Sequence, residues 1–163
     1  MCSSNVDITL AASKGLDAFA LNIGRDNWQI AQVAYAYAAA HLYNSQASRS
    51  STSPFKLFLS FDMSSFPCAS ADDATPLQRY IDKYSRNLSS MRVNGHMLVS
   101  TFAGESCTFG SNQGLNDAWT RAVKPGGGTI PNIWFVPSFF IDPTTFPSMP
   151  VLDGAFQVST SFT

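Results

Sequence analysis

Asn22 closes the apolar run 17–22, Asp62 follows the run 56–61, and Glu105 follows the run 96–102. Carboxylates and amides at the C-terminal ends of successive strands are where α/β proteins gather their chemistry. An Asp and a Glu on neighbouring strand ends can flank a sugar, because inverting glycosidases hold two carboxyls about 6.5–9.5 Å apart. The competing reading is that Asp62 and Glu105 cap helix N-termini or hold loop backbone, since the positive end of a helix favours acids. Trp28 opens the segment after the first run and offers an indole face for stacking on a sugar. Trp119 and Trp134 fit core or helix-packing positions instead.

Cys68 and Cys107 follow the second and third runs, which are neighbours in a right-handed βαβ unit. A disulfide between their loops is one reading; two buried free thiols or part of a metal site are the others. His41 and His96 have no ligand spacing with these cysteines, so no metal site is expected. Cys2 is left over. No Gly-x-Ser-x-Gly elbow is present, and neither Gly-x-Gly-x-x-Gly nor a Walker A sequence follows any run. A serine hydrolase and a nucleotide-binding sheet therefore both lack their local signatures.

The elements that must position these residues alternate along the chain. Four apolar runs (17–22, 56–61, 96–102 and 133–136) start about 40 residues apart, room for a strand, a crossover helix and two loops. A shorter fifth run covers 154–158. Nearly continuous apolar strands predict burial on both faces, as in a parallel sheet. Between them, Asp7 is expected to cap a helix that stops at Lys14-Gly15. Residues 28–43 place Ile30, Val33, Ala34, Tyr37, Ala38 and Leu42 on one helical stripe. Leu77, Ile81, Tyr84 and Leu88 mark a third helix after Thr75-Pro76, and 115–123 a fourth, stopping at Lys124-Pro125 and the glycines 126–128. The class is α/β with a parallel sheet and crossover helices. Both an open doubly wound sheet and a piece of a (β/α)8 barrel fit; five strands cannot close a barrel that typically needs about 250 residues.

Composition narrows the partners. The 163 residues are 45% hydrophobic and 13% charged, with a formal net charge of -1, enough apolar content for a core and no basic surface for nucleic acid or acidic membrane. No run of about 18 apolar residues predicts a membrane span. The first five residues carry no basic and no apolar stretch, so no signal peptide is read there. Asn87-Leu88-Ser89 is an N-glycosylation sequon.

Four motifs in order resemble the fungal α-1,3-glucanases (mutanases) of glycoside hydrolase family 71. They are Asp17-Ala18-Phe19-Ala20-Leu21-Asn22-Ile23-Gly24, Phe58-Leu59-Ser60-Phe61-Asp62-Met63-Ser64, Gly104-Glu105-Ser106-Cys107-Thr108-Phe109-Gly110 and Phe135-Val136-Pro137-Ser138-Phe139-Phe140. The resemblance covers 7–156 and leaves 1–6 as an atypical N-terminal segment and 157–163 as a divergent tail. It implies a partial (β/α)8 barrel, about strands 2 to 6, secreted or directed to the cell wall. It also implies hydrolysis of α-1,3-glucosidic bonds of α-glucan without metal or organic cofactor.

The family's acid/base pair lies in an Asn-Asp-Tyr-Gly-Glu-like motif, which this sequence lacks. No catalytic residue is carried over, and the isolated chain is expected to be inactive. Asn22, Trp28, Asp62 and Glu105 become expected substrate-binding or supporting residues. Two other functions follow from an incomplete barrel: non-catalytic α-glucan binding, and self-association through open strand edges.

Overall fold

The computed structural model describes residues 3–47, 53–125 and 133–156. Cys2, the glycines 126–128, Gln157 and Val158 of the fifth run, and the tail 157–163 lie outside the described residues.

Helix α1 (Ser3–Ser13) starts ahead of Asp7 and stops before Lys14-Gly15. Helix α2 (Asn27–Ala47) extends past the expected end, and its buried stripe is Val33, Tyr37 and Ala40. Ile30 and Leu42, expected on that stripe, are about half exposed. The segment is apolar on every side, so hydrophobic spacing alone could not select the packed face. Helix α3 (Thr75–Ser85) has Pro76 in its first turn and buries Leu77, Ile81 and Tyr84. It ends before Leu88, which is 84% exposed rather than packed. Helix α4 (Leu115–Val123) buries Ala118, Trp119, Ala122 and Val123.

Strands β1 (Ala18–Ile23), β2 (Lys56–Asp62), β4 (His96–Phe102) and β5 (Ile133–Phe135) lie parallel, β2 beside β1, β4 beside β2 and β5 beside β4. The sheet is not wholly parallel as the runs suggested. Strand β3 (Arg92–Val93) pairs antiparallel with β4 across Asn94-Gly95. Asn94 and Gly95 take φ values of 50° and 82°, the left-handed pair of a tight hairpin turn, which Asn-Gly adopts most readily. The fifth run forms no strand at 154–156. Two main-chain bonds, Asp153 N–H to Phe135 O and Phe156 N–H to Pro137 O (both 2.9 Å), moor it to the chain leaving β5. These bonds are out of step with a regular ladder, which advances two residues on each strand per pair of bonds.

The expectation of burial on both faces holds for β4, where Met97, Leu98, Val99, Ser100 and Thr101 are all buried, and fails for β2. On β2, Leu57, Leu59 and Phe61 are fully buried, whereas Phe58, Ser60 and Asp62 between them are partly open. The first set joins Ile23, Met97, Val99 and Phe135 in one core beneath the helices. Each such buried side chain stabilises the fold by about 1.5–3 kcal/mol. The opposite face carries no helix among the described residues. The architecture is an arc of an α/β barrel that does not close.

Candidate functional site

Register brings polar side chains from different strands into rows on the helix-free face. Asn22 of β1 is opposite Ser60 of β2, and Ser60 is opposite Ser100 of β4. Towards the C-terminal ends, Asp62 is opposite Phe102, which bridges Ser138 beyond β5. Strands stand about 4.8 Å apart, so the first row spans about 10 Å. The period of two along each strand puts Ala20 below Asn22 and Phe58 below Ser60. Together these residues and Phe156 line an open groove of about 420 Å³. Phe156 reaches it from the segment after β5 and stacks on Phe58, centroids 6.4 Å apart.

Asp62 turns one oxygen into the loop and leaves the other open. Its Oδ1 accepts the Ser64 N–H at 3.1 Å and the Ser64 hydroxyl at 2.5 Å. Among the described residues Oδ2 has no protein partner. Ser138 is 7% exposed, and its buried hydroxyl has no partner among the described residues. An unmade bond at a buried hydroxyl costs about 1–3 kcal/mol.

Of the residues singled out from sequence, the groove collects Asn22 and Asp62. Glu105 is not among its lining residues; its Oε2 accepts the Phe140 N–H at 3.3 Å and links the loops after β4 and β5. Trp28 stands outside the groove, 63% exposed, with its indole N–H donated to Asp26 Oδ2 at 3.2 Å. Ser100, Ser138, Phe102 and Phe156 were not singled out. For Ser100 and Phe102 the signal was present, because strand alternation from the same run gives their face; Ser138 and Phe156 follow β5, where no spacing rule applies.

The loops around the groove are braced. Cys68 and Cys107 form a disulfide, Cα atoms 5.0 Å apart, between the loops after β2 and β4. Beside it, the N–H groups of Thr108 and Phe109 both donate to the Cys68 carbonyl, at 3.0 and 2.8 Å. Asp142 caps the 3-10 helix Pro143–Ser148 after β5, and the Thr144 N–H on its carboxylate holds that carboxyl below its ordinary 3.8. Asp153 Oδ2 accepts from both Lys124 Nζ (2.6 Å) and the Phe135 N–H (2.8 Å), pinning the end of α4 to β5. Among the described residues no three His, Cys, Asp or Glu side chains stand close enough to hold a metal ion.

Parallel strands, crossover helices on one face and a groove of mixed polar and aromatic lining on the other make the chain an arc of an α/β barrel. It matches glycosyl hydrolase family 71 over residues 2–160, and it belongs to that family. It is 34% identical over 152 residues to the ascus wall endo-1,3-alpha-glucanase of Schizosaccharomyces pombe, covering 91% of this chain and 32% of that protein. A glucan endo-1,3-alpha-glucosidase of the same organism is 38% identical over 134 residues, 82% of this chain and 28% of the other. A mutanase of Penicillium rubens is 36% identical over 101 residues, 61% of this chain and 20% of the other. The chain thus spans about a third or less of the length of the curated relatives it matches. No solved structure matches it.

Proposed function

We propose that this chain forms one wall of the substrate groove of an α-1,3-glucanase, and that alone it binds α-1,3-glucan without cutting it. The observation that carries the reading is the row Asn22, Ser60 and Ser100 with Asp62 and the unpartnered Ser138 hydroxyl above it. A glucan offers hydroxyls in both donor and acceptor roles, and the groove offers carboxylate, amide and hydroxyls to meet them. Phe58 and Phe156 supply apolar surface for sugar C–H faces. Asp62 Oδ2 receives a sugar hydroxyl. Glu105 positions the Phe140 loop, and Trp28 meets a sugar outside the groove.

Hydrolysis in this family requires a general acid at the glycosidic oxygen and a second carboxylate, directed at water or at the anomeric carbon. Asp62 and Glu105 are both tied to loop backbone, which supports supporting roles over catalytic ones. The relatives' names, one of them an ascus wall enzyme, and the disulfide support a secreted or wall location. No helix among the described residues is long and apolar enough to cross a membrane.

Co-sedimentation with insoluble α-1,3-glucan tests the reading. Wild-type protein is expected in the pellet, and Asp62→Asn is expected to bind about tenfold more weakly, the equivalent of one charge-assisted hydrogen bond of about 1.4 kcal/mol. Equal pelleting of both would remove Asp62 from the site; wild-type protein left in the supernatant would remove the binding reading.

A second reading, self-association, is favoured by β1 forming a sheet edge among the described residues and by the exposed Val6, Leu10, Leu16, Tyr35 and Leu42. Sizing at several concentrations decides it: a larger species growing with concentration supports it, and a constant monomer rejects it.

A further inference from the structure

We infer that Asn87 is an N-glycosylation site, carrying its oligosaccharide near the start of β2, at the other end of that strand from Asp62. Asn87-Leu88-Ser89 is the single sequon in the 163 residues, with neither Leu88 nor Ser90 a proline. It falls just past Arg86, which caps the end of α3. Leu88 beside it is 84% exposed, so the segment is at the surface. Asn87 Oδ1 accepts the Ser89 N–H at 2.9 Å. That local turn directs the carboxamide oxygen along the chain and leaves Nδ2 without a partner among the described residues.

The fold also fixes when transfer must happen. Ser89, whose hydroxyl a transferase reads as the third sequon position, is only 2% exposed, and Asn44 Nδ2 donates to that hydroxyl at 3.2 Å. Asn44 is itself locked to Phe55 by two further bonds, at 2.9 and 2.7 Å. The folded protein therefore hides the hydroxyl, and the sugar must be attached to the unfolded chain. The Cys68–Cys107 disulfide belongs to the same oxidising compartment in which such transfer takes place.

In the transfer, Asn87 Nδ2 bonds to the anomeric carbon of an oligosaccharide carried on a lipid diphosphate. The bond from that carbon to the phosphate oxygen breaks, and the lipid diphosphate leaves with the electron pair. One amide proton passes to a base of the transferase. The finished fold accommodates the product, because Ser90 bridges Leu57 at the start of β2 while Asp62 stands at its end. Five residues of strand, about 17 Å, separate Leu57 from Asp62, so the glycan stands away from the carboxylate end of the groove.

Translation of the full chain behind a heterologous signal sequence, with and without endoplasmic-reticulum microsomes, tests the site independently of the glucan reading and of how the native protein is targeted. Translocated, protease-protected wild type is expected to show one upward mass step, removed by an amidase that releases N-glycans. Asn87→Asp, which keeps the acceptor oxygen of the local turn, is expected to show none; Asn87→Gln is expected to behave the same way. A translocated chain without the step would overturn the proposal, as would a step that persists in Asn87→Asp.

Discussion

Trp119 of α4 donates its indole N–H to the carbonyl of Gly104 at 3.0 Å, from a position with no solvent exposure. The bond fixes the turn between β4 and Glu105. Gly104 has φ of 113°, and a Cβ there would stand 2.7 Å from Trp119 Cζ2 and 3.3 Å from Phe139 Cε1. Neither the backbone nor the space accepts a side chain. Gly104→Ala is expected to destabilise the protein by roughly 2–4 kcal/mol, the sum of strain and overpacking. Urea denaturation checks this; an unchanged midpoint would mean that the turn is held by something else.

The disulfide closes a loop of sequence separation 39. Constraining the unfolded chain by that length is worth about 4 kcal/mol in the loop-entropy account. The Cys68→Ala, Cys107→Ala double variant is expected to lose about that much, and wild type under reductant to match it. A loss below about 1 kcal/mol would indicate that the adjacent Thr108 and Phe109 bonds to Cys68 already close the loop.

The helix order and the four parallel strands were legible because each apolar run is bounded by loop chemistry and separated by a crossover length. Three things were not. The Asn94-Gly95 hairpin was written in the sequence but overshadowed by the longer run beginning at His96. The packed face of α2 was ambiguous because alanines and tyrosines surround it. The half-open sheet follows from the lack of closure of the arc, which no local pattern reports. In the groove, Asn22 and Asp62 were legible as polar residues at the ends of the first two runs, and alternation along the paired strands gives them one face. The same alternation could not show that Glu105, beyond the end of β4, turns towards Phe140.

Tyr37 gives the fold an alkaline limit. Burial, chiefly, pushes its phenol up from 10.0 to about 12; its hydrogen bond with Ser90 opposes this, and the neighbouring Tyr84 adds to it. Its ring stacks on Tyr84, centroids 4.1 Å apart. The folded state holds the proton more tightly than the unfolded state. The resulting stability is complete below pH 10 and is lost as pH rises through about 12. Thermal denaturation is expected to show a decline over that window, on the order of 3 kcal/mol. Tyr37→Phe should flatten the decline, and an equally steep decline in that variant would assign it to another group.

The most direct test of the account is an amide NMR titration of this chain with soluble α-1,3-gluco-oligosaccharides, with the sugar anomeric region recorded in the same samples. The groove account predicts saturable shifts clustered at Asn22, Ser60, Asp62, Ser100 and Ser138, while the reducing-end signals stay constant. Shifts absent from those residues would contradict the binding wall. Growing reducing-end signals would show that the acids needed for cleavage are already within these 163 residues.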